Sequence, residues 1–137
     1  MDRDSSAATP AETLPDAIAG VNILLGLELL SGNQPLYLSL LRKFLAGHKD
    51  STAAIRRALA ADDWEIAKLI AHNTKGVSSC IGATGLQHHA AELEQAIRSQ
   101  SFDLDALLHR FDESLNEVMA ALETTLPPEQ QTLEVTA

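Results

Sequence analysis

The sequence predicts an all-α protein, an up-down-up-down four-helix bundle with a short N-terminal capping helix. Three observations support this fold class. Apolar residues recur every three to four positions through most of the 137-residue chain, which is the period of one helix face. Leu and Ala dominate while aromatic residues make up only 4%, a composition that favours helices. No segment alternates polar and apolar residues with the period of a strand.

The pattern divides the chain into one domain and two ends. Residues 1–19 begin with small, polar, proline-containing sequence and are predicted to form a disordered lead or linker. The helical pattern extends over residues 20–126, which is long enough for one domain with its own core. Pro127 and Pro128 end the last helix, and residues 127–137 are predicted to form a disordered tail.

The first two helices have clear start signals. Asn22 is a suitable N-cap for a short helix over Ile23 to Leu30, which is apolar on nearly every side. Pro35 fits the first turn of a second helix. The apolar stripe of this second helix keeps one period throughout, so a single helix is predicted over residues 34–61.

Capping residues also mark the remaining helices. Asp62 with Glu65 predicts a capping box at the start of the third helix, and Gly82 is a natural terminator for it. Thr84 with Gln87 predicts a second capping box, which starts the fourth helix. The three helices are therefore expected over about 62–81, 84–99 and 103–126.

Composition and motifs exclude several classes of function. The net charge is −9 and no cluster of Lys or Arg is present, so neither nucleic acid nor an anionic membrane is an expected partner. Cys80 is the only cysteine, so no intramolecular disulfide can form. The sequence has no P-loop and no Gly-x-Gly-x-x-Gly motif that would bind a nucleotide. It also lacks a signal peptide and an apolar run of membrane-spanning length, so a cytoplasmic location is expected.

The third helix carries the candidate site. Opposite its predicted core stripe lie His72, Lys75 and Gly76, which share one surface patch because helical neighbours are three and four positions apart. A neutral imidazole is a competent nucleophile near pH 7, and Lys75 can offer a cation to phosphoryl oxygens. A mid-helix glycine costs about 1 kcal/mol relative to alanine, and clearance for a partner would explain it. The predicted core stripe consists of Ile66, Ile70, Thr74, Val77 and Ile81, flanked by Ala67, Ala71 and Ser78.

Spacing alone leaves a plainer alternative open. In that alternative, an exposed histidine lies near an exposed lysine and a tolerated glycine without any shared chemistry. Lys68 and Ser79 lie on the same predicted face, and Ser79 could add a hydrogen bond to a group on His72.

The other histidines are interpreted as structural or surface residues. His48 falls on the apolar stripe of the second helix and is expected to be packed there. His88 and Glu92 could touch one metal, but two ligands on an open face do not make a site, so no metal site is predicted. His89 and His109 add no further signal, and no Glu-x-x-His pair supports a di-iron site.

Two runs of residues carry a family resemblance. They are A-H-N-T-K-G-V-S-S-C-I-G-A, which begins at Ala71, and L-x-x-x-A-x-x-L-E-x-A-I, which begins at Leu86. The upstream runs G-N-Q-P-L-Y, F-L-A-G-H-K-D and A-L-A-A-D-D-W fit the same pattern. Over roughly residues 20–126 the chain resembles the histidine-containing phosphotransfer (HPt) domain family of multistep His-Asp phosphorelays, as in hybrid sensor histidine kinases.

The resemblance implies a phosphocarrier without an ATP site of its own. His72 would accept a phosphoryl group from a receiver-domain aspartate and pass it to another receiver-domain aspartate. Lys75 would stabilise that group, and Gly76 would give the partner clearance. The receiver would supply Mg²⁺, so this domain needs no cofactor. The implied partners are the receiver domains of response regulators and of a hybrid histidine kinase, and the isolated domain is expected to be a monomer.

Docking is expected to use Lys68 and Ser79 together with exposed leucines of the first helix, such as Leu24 and Leu27. That helix is too apolar all round to serve only as a lid. The alternative that these leucines seal the end of the bundle stays open. Two other functions also stay open: a non-catalytic bundle that docks or sequesters a receiver domain, and an ordinary helical adaptor.

Two residues depart from the family pattern. Thr74 stands where the family usually has leucine, at a position predicted to face the core. Cys80 stands where asparagine or serine is common, and it is interpreted as a small packing residue.

Overall fold

A computed structural model describes residues 14–127 as a set of packed α-helices. In that range the secondary structure outside the helices includes no strand longer than the isolated bridge between Ile18 and Val21. None of the described helices is long and apolar enough to cross a membrane. The six helices of the described range are α1 (Ile23–Leu29), α2 (Gln34–His48), α3 (Ser51–Ala60), α4 (Trp64–Ile81), α5 (Thr84–Arg98) and α6 (Leu104–Thr125).

The predicted lead and tail fall mostly outside the described range. Residues 1–13 and 128–137 are not part of it, so the boundaries at 19 and 127 stay predictions. Within the predicted lead, Ile18 is buried and Leu14 packs against the core. Packing therefore already involves residues that precede position 20.

The predicted second helix is two helices, so a single helix over 34–61 was wrong. The chain turns at Lys49 and Asp50 between α2 and α3. The apolar residues on both sides of this turn, such as Phe44 and Ile55, are buried in the same core. Because the turn preserves the apolar period, the sequence pattern gives no sign of it.

The helices pack so that α4 lies between α3 and α5, while α6 lies against α5 and α2. The shared core is aliphatic with three large rings. Its largest fully buried side chains are Tyr37, Phe44, Phe111, Leu41, Ile55, Ile81, Leu86, Leu93, Ile97, Leu115, Leu122 and Val118. The apolar spacing predicts inward residues in the fourth and last helices, and all of them except the half-buried Leu104 are buried: Leu86, Ala90, Leu93, Ile97, Leu108, Phe111, Leu115, Val118 and Leu122.

The ends of α4 are capped differently from the prediction at one end only. The N-cap is Asp63, whose carboxylate accepts the N–H of Ile66, and not Asp62. Asp62 has a positive φ of 61° and instead accepts the indole N–H of Trp64 at 2.8 Å. Gly82 ends the helix in the left-handed conformation, as predicted.

The second predicted capping box is also wrong. Thr84 is the first residue of α5, its N-cap is Ala83, and no side-chain bond caps this end. Asn22 does cap α1 as predicted, because its side chain accepts the N–H of Leu25 at 3.0 Å.

The C-terminal end of α4 is fixed by α1 and α2. The N–H of Asn22 donates to the carbonyl of Gly82 at 2.8 Å, and the hydroxyl of Tyr37 donates to the carbonyl of Ile81 at 2.8 Å. Gly26 lies so close to the Tyr37 ring that a Cβ there would collide with it. These contacts satisfy carbonyls that a helix end otherwise leaves unpaired, and they hold α4 in position.

Candidate functional site

His72 lies at the middle of α4 and points outward. Its side chain is 58% exposed. The face of α4 opposite His72 is buried in the core and consists of Ala67, Ala71, Thr74, Ser78 and Ile81. The helix therefore holds the imidazole at the surface on a rigid, fully packed element.

The buried face of α4 is displaced from the predicted stripe. Ile66 is 44% exposed, so its assignment to the core was wrong, whereas Ile70 and Val77 are half-buried and pack against the core. At about 100° per residue, the buried centre is rotated by about 60° toward α5. The small side chains of Ala67 and Ala71 lie on the buried face, and α5 is the helix against which α4 packs most extensively.

A buried glutamate of α5 lies directly beside His72. Glu94 is 5% exposed, and its Oε1 accepts the Nζ ammonium of Lys75 at 2.8 Å. Its Oε2 accepts Nδ1–H of His72 at 3.0 Å and Nη2–H of Arg98 at 3.0 Å. We call Glu94, His72, Lys75 and Arg98 the carboxylate cluster.

The charges in this cluster decide which nitrogen of a neutral His72 ring carries the proton. Burial raises the pKa of Glu94, but hydrogen bonds and charge from Lys75 and His72 outweigh it and leave the pKa below its usual value. An ionised carboxylate only accepts hydrogen bonds, so Nδ1 of His72 carries the proton. In the neutral ring, Nε2 then has the free lone pair and is the nucleophilic atom.

Gly76 leaves open space one turn beyond His72. A Cβ at this position would meet no atom within 4 Å, so the packing of the described chain does not require a glycine here. Ser79 lies one further turn along the same face and is half-buried. Lys68, one turn before His72, forms an ion pair with Glu65 at 3.2 Å.

Exposed leucines that could serve docking occur on both α4 and α1. Leu69 is 50% exposed and lies three residues before His72 on the same helix. Leu24 of α1 is 80% exposed, whereas Leu27 packs against the core. Of the two leucines predicted for docking, only Leu24 therefore offers most of its side chain to solvent.

A known protein family matches the part of the chain that contains the carboxylate cluster. A family model described as the Hpt domain matches residues 39–125 of the chain, a span that contains α3, α4, α5 and α6 entirely. The chain belongs to the Hpt domain family. Hpt domains are phosphotransfer modules of His-Asp phosphorelays, in which they interact with receiver domains.

A solved Hpt domain structure supports the fold. The chain is similar to the HPT domain of an Hpt sensor hybrid histidine kinase from Shewanella, with 23% sequence identity and a TM-score of 0.69. The match covers 77% of this chain and 92% of that one. No curated protein matches the chain.

Thr74, the departure from the usual leucine of the Hpt family, is fully buried in this chain. Its hydroxyl donates to the carbonyl of Ile70 at 2.9 Å and lies 3.5 Å from Nδ1 of His48. His48 is half-buried and stacks on Phe44 with ring centroids 5.1 Å apart, in agreement with its interpretation as a packed histidine. A polar contact between α2 and α4 thus replaces the aliphatic contact expected of leucine.

The remaining predicted positions lie apart from the carboxylate cluster. Cys80 is exposed, so its interpretation as a packing residue was wrong. His88 and His89 both lie next to Glu92 on α5, at 3.4 and 3.7 Å. Within residues 14–127 no group of three or more His, Cys, Asp or Glu side chains could hold a metal ion.

Sequence analysis did not identify Glu94 and Arg98 as members of the site. A signal for Glu94 was present, because it directly follows Leu93 and lies four residues after Ala90, both of which are inward residues of α5. A carboxylate on the edge of a buried stripe needs a cation. Arg98 follows at the i+4 position, where such a partner belongs.

Proposed function

We propose that His72 accepts a phosphoryl group from the phospho-aspartate of one receiver domain and passes it to the aspartate of another. The observation that carries this proposal is the hydrogen bond between Nδ1 of His72 and Glu94, with Lys75 on the other carboxylate oxygen. This bond directs the lone pair of Nε2 away from the bundle and toward a docked partner.

The transfer step balances on this geometry. Nε2 of His72 attacks phosphorus, the bond between phosphorus and the aspartyl oxygen breaks, and the receiver regains an aspartate carboxylate. The ring keeps its Nδ1 proton and gains a positive charge, which the neighbouring Glu94 carboxylate stabilises, as a buried carboxylate does for a catalytic imidazolium. In the second step an aspartate oxygen attacks phosphorus, and the electron pair of the N–P bond returns to Nε2.

Lys75 and Gly76 complete this proposal. The ammonium of Lys75 lies one turn from His72 and can pair with phosphoryl oxygens. The open space at Gly76 lets the partner approach the imidazole. We propose that the receiver domain supplies Mg²⁺ and that this chain needs no cofactor and does not phosphorylate itself from ATP.

The proposed docking surface combines charge and apolar area beside His72. It includes the predicted residues Lys68, Ser79, Leu24 and Leu27, to which the structure adds the exposed side chain of Leu69. Exposed aliphatic area beside a reactive group is typical of a protein-binding surface. Leu24→Asp should weaken receiver binding and slow transfer without unfolding the bundle; unchanged transfer would remove Leu24 from this surface.

We also propose that the four long helical units, with α2 and α3 counted as one, run up-down-up-down and that α1 caps one end. Short connections between neighbouring helices support this arrangement.

Labelled phosphate tests the function directly. A receiver domain phosphorylated with labelled phosphate is mixed with the wild type, with His72→Gln and with His88→Gln, an exposed histidine of α5 that serves as the control. Label should appear on the wild type and on His88→Gln but not on His72→Gln. Receiver binding without any label on the wild type would instead support a docking module, and label on His72→Gln would assign the acceptor role elsewhere.

A further inference from the structure

The carboxylate cluster contains one more cation than its single carboxylate needs. Glu94 is almost fully buried, and both Lys75 and Arg98 pair with it, on different oxygens, at 2.8 and 3.0 Å. With a neutral imidazole, the charges of −1, +1 and +1 leave the cluster with a net charge of +1. Either cation alone would neutralise the glutamate.

Phosphorylation makes competing demands on Lys75. A phosphoryl group on Nε2 adds a charge of about −2 beside Lys75, whose ammonium is already bound to Glu94. Turning toward the phosphoryl group means leaving the carboxylate. A buried carboxylate that loses a paired cation is destabilised. The positive charge of the phosphorylated ring is offset by its own phosphoryl group, so Lys75 can move freely only if another cation stays on Glu94.

We infer that Arg98 is a positioning residue that frees Lys75 for the phosphoryl group by keeping the Glu94 carboxylate paired. The inference rests on the proposed phosphorylation of His72 and specifies how that site works. Arg98 acts through Glu94 and does not touch the phosphoryl group itself.

The geometry of Arg98 suits this task. Arg98 and Glu94 are i,i+4 neighbours on α5, so their pairing does not depend on movement in α4. Nη1 of Arg98 donates to Oε1 of Gln95 at 3.1 Å, which fixes the guanidinium over its own helix. The guanidinium also stays charged at every relevant pH. Lys75, in contrast, belongs to α4 and has a flexible stem that reaches both Glu94 and the space beside His72.

A double-mutant cycle on the phosphohistidine tests the inference. His72 is first phosphorylated with phosphoramidate. In this reaction Nε2 attacks phosphorus, the P–N bond of the reagent breaks, and the nitrogen of the reagent takes a proton and leaves as ammonia. Lys75→Ala should shorten the half-life of the phosphohistidine about fivefold, the size expected for one partly exposed charge pair. Arg98→Gln should shorten it by a similar factor, because Lys75 then stays on Glu94.

The double variant decides between shared and independent action. If Arg98 acts only by freeing Lys75, the double variant should again show about a fivefold loss. Independent effects would multiply to about 25-fold and would overturn the inference, as would an unchanged half-life in Arg98→Gln. Arg98→Lys should restore most of the half-life, while Arg110→Gln on the exposed side of α6 should have no effect.

Glu94→Gln separates an indirect role from a direct one. In that background the amide needs no cation, so adding Arg98→Gln should not change the half-life further. A further loss there would mean that Arg98 contacts the phosphoryl group itself and would overturn the positioning role.

The two proposals fail separately. Loading by phosphoramidate but not by a phosphorylated receiver would refute the proposed relay function, while the cycle would still decide the role of Arg98. If a phosphorylated receiver transfers its phosphoryl group but the effects of Lys75→Ala and Arg98→Gln multiply in the double variant, the relay function stands and the role of Arg98 is refuted. If neither donor loads His72, both proposals fall.

Discussion

The outward and inward faces of α4 are built by different rules, although they share one helix. The outward face holds His72 and Gly76, where side chains meet solvent and open space. The inward face holds small and polar residues such as Ala71 and Thr74 with no exposed surface. The packed face fixes the direction in which the reactive face points. Substitutions on the packed face should therefore change mainly the unfolding free energy, and substitutions on the reactive face mainly phosphotransfer.

The largest expected effect comes from enlarging the inward face. Ala71→Leu adds three carbons to a fully buried position of α4. Overpacking of this kind costs about 1–3 kcal/mol of unfolding free energy, which urea denaturation measures. Asn73→Leu, at an exposed position two residues along, is the matched control and should change stability by less than about 0.5 kcal/mol. Equal losses in the two variants would contradict the assignment of faces.

Gly76→Ala should produce opposite effects on stability and on transfer. Alanine favours a helix by up to about 1 kcal/mol over glycine, and its Cβ meets nothing in the described chain, so the unfolding free energy should rise. The same methyl group would obstruct a docked receiver, and phosphotransfer should fall about tenfold.

Gly47→Ala is the control for this substitution, because a Cβ at Gly47 of α2 also meets open space. It should raise stability in the same way and leave transfer unchanged. Loss of transfer in both variants, or in neither, would remove clearance as the reason for Gly76.

The stability contributed by His48, which lies beside the inward face of α4, should depend on pH. Burial lowers the pKa of His48 below its usual value of 6.5, so the folded state favours the neutral ring. The contribution of His48 to stability is therefore fully present above pH 6.5 and is lost as the pH falls from there through the lower pKa of the folded state. Thr74 and Ser51 lie next to this ring, and the carboxylate of Asp50 borders the same cavity.

Urea unfolding at a series of pH values between 5 and 8 checks this expectation. The loss of stability on acidification through this range should be smaller in His48→Gln than in the wild type. Identical pH profiles would show that His48 does not couple to folding.

The smallest effect is expected for Lys68→Ala. Lys68 pairs with the exposed Glu65, and such surface pairs contribute about 0–1 kcal/mol. Stability should change by less than about 0.5 kcal/mol, and transfer from a receiver should slow by about twofold at low salt and less at high salt. A salt-independent loss of transfer would point to a role other than charge.

Much of the fold follows from local signals in the sequence. The all-helical class, the caps at Asn22 and Gly82 and the inward residues of α5 and α6 follow from apolar period and capping chemistry, and the structure confirms them. The break at Lys49 and Asp50 does not follow, because the apolar period continues across it.

Sequence by itself determined the candidate acceptor and its two companions, because His72, Lys75 and Gly76 lie within five residues of one helix and local spacing places them on one face. The packing of α5 against α4 adds Glu94 and Arg98 to them, and local spacing could not show this because Glu94 lies 22 positions after His72 on another helix. The buried face of α4 carries small residues such as Ala67 and Ala71, whereas Ile66 and Leu69 are exposed. The spacing of residues along a helix specifies which of them share a face, whereas packing against neighbouring helices decides which face is buried.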